Sequence, residues 1–171
     1  KIDIVVNPIP IVDFTANIFE CCSPLTVEFT NTSTPSNGTM VWDFGDDSAP
    51  TANSTHSFFK EGYMNISLTY TSLGCSDSIT KNEYIHVLVT SHASFKTNSS
   101  TTTNTNTTTI FDPTFIFDNT SIGSSFYEWD LGDNSFSSQE NVTHTYPAEA
   151  AEYEVILIAN NENNCPYTAK Q

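Results

Sequence analysis

Basic side chains are scarce in this 171-residue chain: Lys and Arg together number five, against 20 Asp and Glu, for a formal net charge of −15. Nucleic-acid binding needs a basic footprint, so the composition argues against that class of partner. A field of this sign instead favours solubility, repels anionic surfaces and attracts cations. No apolar run approaches the roughly 18 residues of a membrane-spanning helix. No signal peptide is visible. The chain opens at Lys1 without a Met, which reads as a mature product or a fragment, compatible with removal of an export signal.

Catalytic signatures are missing as well. There is no Gly-x-Ser-x-Gly, no His-Glu-x-x-His and no phosphate-binding loop. The four cysteines include no Cys-x-x-Cys metal spacing. His86 and His92 have no partner motif nearby, and His56 and His144 occupy equivalent places in an internal repeat, which marks them as structural. The expectation is a protein that is not an enzyme and carries no cofactor.

What the chain does contain is hydroxyl and amide: 45 Ser and Thr, and 17 Asn. Period-2 alternation dominates and no long 3.6-residue periodicity appears, which predicts strands throughout. They fall near Ile11–Ala16, Thr26–Asn31, Met40–Asp46, Thr55–Phe59, Tyr63–Ser72, Ser76–Thr80 and Tyr84–Val89. A second set follows at Ala93–Thr97, Thr114–Asn119, Phe126–Leu131, Val142–Tyr146, Tyr153–Asn160 and Pro166–Ala169. Turn signals such as Pro35-Ser36-Asn37-Gly38, Leu73-Gly74 and Ile122-Gly123 separate them. About seven short strands with turns every 8–12 residues predict an immunoglobulin-like β-sandwich, here all-β and in tandem.

The tandem is written into a repeat. Trp42-Asp43-Phe44-Gly45-Asp46 returns 87 residues later as Trp129-Asp130-Leu131-Gly132-Asp133. Phe29-Thr30-Asn31-Thr32-Ser33 returns as Phe117-Asp118-Asn119-Thr120-Ser121, and Thr55-His56-Ser57-Phe58 as Thr143-His144-Thr145-Tyr146. Tyr63 aligns with Tyr153 and Cys75 with Cys165. Offsets of 87 to 90 imply loop changes of one to three residues on a common scaffold. Trp42 and Trp129 supply aromatic bulk to each core. Gly45 and Gly132 permit a positive φ in the following turn. Asp43, Asp46, Asp130 and Asp133 suit turn N–H acceptance.

Phase matters at both ends. Gln171 aligns with Lys81, so the second module stops before its equivalent of Tyr84–Val89. Lys1–Val6 alternates like Tyr84–Val89 and precedes the first strand of its module in the same way. The expected domains are therefore residues 1–6, a strand completing a neighbouring module; 7–90, a first sandwich; and 91–171, a second lacking its last strand. The polar low-complexity run Ser99–Thr109 reads as an exposed loop or an O-glycosylated segment.

The Trp-Asp-Phe-Gly-Asp turn, the following His-x-Phe/Tyr and Gly62-Tyr63 together resemble the PKD domain family, and the second copy repeats the set with Leu131 and Asn134 as departures. The Phe-x-Asn-x-Ser and Gly-Cys-Ser-Asp elements look most like PKD repeats of bacterial surface proteins. The resemblance implies a β-sandwich, an extracellular or cell-surface location, and a spacer, adhesive or binding role without catalysis. It also favours a Cys22–Cys75 disulfide, with Cys21 as the alternative partner; in the second module the counterpart of Cys22 is Ile110, so Cys165 has no evident mate within its module, and Cys21–Cys165 pairing stays open.

Three kinds of site remain. Asp43, Asp46 and Asp47 could ligate calcium through carboxylate and carbonyl oxygens, but the simpler reading is that these carboxylates cap their own backbone and that no metal is held. Asn-x-Ser/Thr sequons stand at Asn31, Asn37, Asn53, Asn65, Asn98, Asn106, Asn119 and Asn141, where chance predicts about four to five. Asp47-Ser48-Ala49 and Asp77-Ser78-Ile79 resemble O-glycan acceptors of some bacterial surface proteins. Phe111, Phe115 and Tyr127 are the candidates for a ligand-binding aromatic strip, although Phe115 and Phe117 suit the core better.

The expected function is an extracellular structural repeat of a filament, stalk or adhesin. Its partners are copies of itself or adjacent repeats, with surface glycans as further candidates. Ile2, Ile4 and Val6 would supply strand exchange into the preceding module's open edge, or the repeats continue covalently. The alternative is a carbohydrate- or protein-binding accessory module of a secreted hydrolase, and a third reading is a calcium-rigidified linker.

Overall fold

The computed structural model describes residues 6–99 and 112–171. Ile2, Ile4, Asn106, Ile110 and Phe111 lie outside the described residues. The chain divides into two compact units, Lys1–Leu88 and Val89–Gln171.

Unit 1 contains β1 (Phe14–Ala16), β2 (Glu20–Cys22), β3 (Leu25–Asn31), β4 (Thr39–Asp43), β5 (Thr55–Phe58), β6 (Gly62–Ser72) and β7 (Cys75–Leu88). One sheet has the order β1-β3-β5 and the other β2-β7-β6-β4. Alternation builds the core directly. On β3, Leu25, Val27 and Phe29 point inward; on β6, Met64, Ile66, Leu68 and Tyr70 do the same. Trp42 on β4 is fully buried and meets Phe14 edge-on at 5.1 Å. Such an aromatic pair adds about 0.5–1.5 kcal/mol beyond the area it buries.

Unit 2 repeats the plan with β8 (Phe95–Ser99), β9 (Thr114–Asn119), β10 (Phe126–Asp130), β11 (Phe136–Ser137), β12 (Val142–Thr145), β13 (Ile156–Asn160) and β14 (Tyr167–Lys170). Its sheets run β12-β9-β8 and β11-β10-β13-β14. Trp129 again meets a phenylalanine edge-on, Phe95, at 5.1 Å. The fold is all-β, two sandwiches in sequence, as expected.

Three local readings change. The separate strands expected at Ser76–Thr80 and Tyr84–Val89 are one strand, β7, crossing a bulge. Pairing jumps from Ile66↔Lys81 to Met64↔Ile85, Glu83 adopts a φ of 49°, and its N–H is held by Asn65 Oδ1 at 2.8 Å. The short strands β2 and β11 carry no alternation long enough to read. Tyr153 stands at the place of Met64, one residue away from the Tyr63 alignment. The Cβ positions of Gly45 and Gly132 meet the backbones of Asn65 and Glu154 in the same way, which makes these two residues equivalent.

Candidate functional site

The repeated acidic turns come first. Asp43 Oδ1 accepts the N–H of Gly45 and Asp130 Oδ1 that of Gly132, both at 3.0 Å. Asp46 Oδ1 accepts the N–H of Ser48 at 3.3 Å, and Asp133 Oδ1 that of Ser135 at 3.0 Å. The remaining oxygens of the second pair, Asp46 Oδ2 and Asp133 Oδ2, each lie 2.7 Å from a histidine Nε2, of His56 and His144. These carboxylates stitch the turn after β4 or β10 to β5 or β12. Asp47, at a φ of 68°, reaches the Lys60 ammonium at 2.7 Å. Among the described residues, no group of three or more His, Cys, Asp or Glu converges on a common point.

Electrostatics follow from that geometry. Partial burial alone would raise the Asp46 carboxyl, but hydrogen bonds from His56 and Ser48 outweigh it and hold the group below the ordinary carboxylate value. Burial is likewise outweighed at Asp133 by His144 and Ser135. Burial pushes the Tyr146 phenol well upward, and its hydroxyl donates to Leu131 O at 2.8 Å. A neutral, hydrogen-bonded phenol and two capped carboxylates stabilise turns; none presents a free reactive group.

The cysteine pairing differs from expectation. Cys75 is a free thiol, so the Cys22–Cys75 disulfide does not form; Cys22 and Cys165 are the disulfide-bonded residues, and Cys21 is free and exposed. Cys75 Sγ instead faces Asn7 O at 3.8 Å. Cys21–Cys165 pairing is excluded by the same observation.

Among the sequons, Asn37, Asn53, Asn65 and Asn141 are exposed, whereas Asn31, Asn98 and Asn119 are half-buried. Asn31 and Asn119 each accept the N–H two residues on, at 3.0 and 2.9 Å, which explains their recurrence as turn residues. The Asn98 amide nitrogen already donates to Asp118 at 2.9 Å. Ser78 is exposed, but the Ser48 hydroxyl is buried, which removes that O-glycan acceptor. Phe115 and Tyr127 pack against the unit 2 core, and Phe117 lies within it, so they form no exposed strip.

The edge of the larger sheet is where the two units part. In unit 1, the end of β7 covers the beginning of β6 through Gly62↔Val87 and Met64↔Ile85, and β2 lies parallel along its other side. Ile85 and Val87 are 0% and 1% exposed. In unit 2, residues 151–155 are not strand, and among the described residues no strand lies along 151–154. Tyr153 and Phe115, at the places of buried Met64 and Val27, are only half-buried.

Two β-sandwiches, each keyed by a Trp-Asp-x-Gly-Asp turn tied to a histidine, define a tandem of immunoglobulin-like modules. Residues 92–171 match the profile of the family described as PKD domain. Unit 1 repeats the signature and sheet plan of unit 2. No curated protein matches the chain. Among solved structures, a solution NMR structure from Methanosarcina mazei is similar at 29% identity over 52% of this chain and 59% of that one, with a TM-score of 0.38. The three N-terminal domains of the Highly Immunogenic Outer Capsid protein of bacteriophage RB49 align at 12% identity over 95% of this chain and 57% of that one, with a TM-score of 0.33. The chain thus spans under two thirds of either structure.

Proposed function

We propose that this chain is a pair of structural repeats in an extracellular filament, stalk or adhesin, its modules joined head to tail through a shared strand. The carrying observation is that, among the described residues, no strand lies along residues 151–154, whereas in unit 1 the end of β7 lies along the beginning of β6. An uncovered sheet edge beside half-buried apolar residues is costly and prone to association. Strand addition satisfies it, and a heterologous contact of that kind propagates into a fibre. The strand is supplied either by residues 1–6 of a separate unit or by covalent continuation of the repeats.

Immunogold labelling of the native source tests the role. Label on surface filaments or stalks is expected, and label confined to the cell interior overturns it. Denaturing electrophoresis then separates the two routes. A band near 18.9 kDa, or a ladder built on it, marks polymerised subunits, whereas a very large band marks one continuous chain. Glycans on Asn37, Asn53, Asn65, Asn141 and Ser78 would shift either band, and the hydroxyl-rich surface fits such modification.

One observation favours a second reading, a binding module for carbohydrate or protein. On the outer face of β10–β14, Phe126 and Phe136 are 58% and 72% exposed, and Phe126, Glu128, Ile158, Asn160 and Pro166 line a shallow cleft of about 230 Å³. In unit 1 the place of Asn160 is taken by Thr71, whose hydroxyl pairs with that of Ser76 at 2.8 Å. Binding on a glycan array that is lost in Phe126→Ala supports this reading; no binding rejects it.

A further inference from the structure

The two units share one sheet plan, so the outer faces of their larger sheets can be compared position by position. Asp43 pairs with Ser67 and Ser67 with Thr80, as Asp130 pairs with Ile156 and Ile156 with Lys170. The next row is Val41, Thr69 and Ser78 in unit 1, and Glu128, Ile158 and Thr168 in unit 2. The row after that is Thr39, Thr71 and Ser76 against Phe126 and Asn160, with Pro166 beside them. Polarity is thus inverted: Phe126 and Ile158 stand where unit 1 has threonine, and Glu128 stands where it has the apolar Val41. The face is uncovered in both units, since Thr39, Val41, Thr69, Phe126, Glu128 and Thr168 are all exposed.

Alternation along β10 puts Phe126 and Glu128 on the same side, two residues or about 7 Å apart. Among the described residues the Phe126 ring meets no other ring, and the Glu128 carboxylate has no hydrogen bond or ion pair. Lys170, on the same face, is taken by Glu154 at 3.3 Å. A ring face and an unpaired carboxylate both attract a cation, and a net charge of −15 adds to the pull. Around the apolar floor of Ile158 stand two hydrogen-bonding groups, the Thr168 hydroxyl and the Asn160 amide. Asn160 Oδ1 accepts the N–H of Asn161 at 2.9 Å, and its Nδ2 donates to Asn164 Oδ1 at 2.8 Å. That fixes the amide and leaves one N–H to donate. At about 230 Å³ the cleft falls below the roughly 300–1,000 Å³ of drug-sized pockets and suits a single sugar ring.

We infer that this cleft, resting on the binding-module reading above, takes one residue of a polysaccharide built of amino sugars with free ammonium groups. The apolar face of the sugar lies on Phe126 and Ile158, the ammonium sits between the Phe126 ring and the Glu128 carboxylate, and ring hydroxyls meet Asn160 and Thr168. Each alternative leaves part of the cleft unused. A neutral hexose gives Glu128 no charge partner, and a uronic acid is repelled by it. A lysine side chain satisfies Glu128 but offers nothing to the amide and the hydroxyl. Unit 1 lacks the ring and the carboxylate at the matching places and has no such site.

The test titrates the full chain with three probes at about pH 6, where amines and carboxylates are both charged. The probes are a glucosamine tetramer, its N-acetylated counterpart and tetralysine, and binding is followed residue by residue by nuclear magnetic resonance. The glucosamine tetramer should bind about fivefold more tightly than the other two, with shifts on the outer face of unit 2 and none on that of unit 1. Glu128→Gln should remove that advantage, the size of an exposed ion pair, and leave the acetylated tetramer unaffected. Phe126→Ala should weaken both sugars about tenfold. Both side chains are exposed, so neither variant should shift the melting temperature, which checks folding. Equal binding of the amine and acetylated forms, or an advantage that survives Glu128→Gln, overturns the ammonium inference and leaves the binding-module reading standing. Tetralysine binding as tightly as the glucosamine tetramer overturns it in favour of a basic peptide. No binding of any probe overturns it too, and a blank glycan array then removes the binding-module reading as well.

Discussion

His56 Nε2 lies 2.7 Å from Asp46 Oδ2, and the His56 ring stacks on Phe44 with centroids 4.2 Å apart. One carboxylate thus closes its own turn and pins that turn to the neighbouring sheet, in a place only 9% exposed at the Asp46 side chain. The bond recurs between His144 and Asp133. It makes the repeated motif a device for joining the two layers of the sandwich.

Acid sensitivity follows from this pair. The Asp46 carboxyl titrates below its ordinary value in the folded state. Its stabilisation is therefore complete above the ordinary carboxylate value and is lost as pH falls through the lowered one. Asp46→Asn should cost unit 1 about 1–3 kcal/mol near neutral pH, in line with charged hydrogen bonds. The gap to the wild type should shrink below about pH 4. Urea unfolding at several pH values measures it; a gap constant down to pH 2 would contradict the assignment.

The motif glycine is constrained twice. Gly45 has a φ of 72°, and a Cβ there would meet Asn65 O at 2.5 Å; at Gly132 it would meet Glu154 O at 2.7 Å. Gly45→Ala and Gly132→Ala should each destabilise their unit by more than about 2 kcal/mol, combining strain and clash. Gly74→Ala, with a φ of 81° but nothing within 4 Å, should cost only about 1–2 kcal/mol. Equal penalties at all three would remove the close-approach argument.

The two tryptophans differ by one hydrogen bond. Trp129 Nε1 donates to Gln139 O at 2.9 Å, whereas Trp42 Nε1 has no partner among the described residues. Both Trp→Phe changes lose ring volume, but Trp129→Phe should carry an added penalty of about 1 kcal/mol. Chemical denaturation of the two variants, following each unit, decides whether that order holds.

Thiol chemistry checks the cysteine assignment. Without reductant, an alkylating reagent should label Cys21 readily and the half-buried Cys75 more slowly, leaving Cys22 and Cys165 unlabelled. Peptide mapping that finds Cys75 protected and Cys22 labelled would reverse the assignment. Cys75→Ser should leave the disulfide intact.

Much of this architecture was legible because two copies of a module share one chain. Trp42 and Trp129, Asp43 and Asp130, and His56 and His144 could be paired by position, and repetition marked them as scaffold. The bond from His56 to Asp46 was not legible, because ten residues and a change of sheet separate the partners. The slip between Tyr63 and Tyr153 arose because a one-residue difference in loop length looks the same at any point between two motifs. Cys75 misled for a related reason: it sits where the family resemblance places a disulfide partner, yet its sulfur faces the Asn7 carbonyl.

The sequence by itself determined the strand-rich class, the tandem count and the phase of the repeat, since period-2 alternation and a recurring motif are local or register properties of the chain. Tertiary structure alone decided which cysteines stay free thiols, which sequons remain exposed, and that Asp46 serves a histidine. Those outcomes depend on which side chains distant segments bring within a few ångströms, and no periodicity encodes that proximity. Residues 151–155 belong to the second group: alternation predicted a strand from Tyr153, but the structure leaves 151–155 outside any strand and Tyr153 half-buried, because among the described residues no neighbouring strand lies along 151–154 to pair with them.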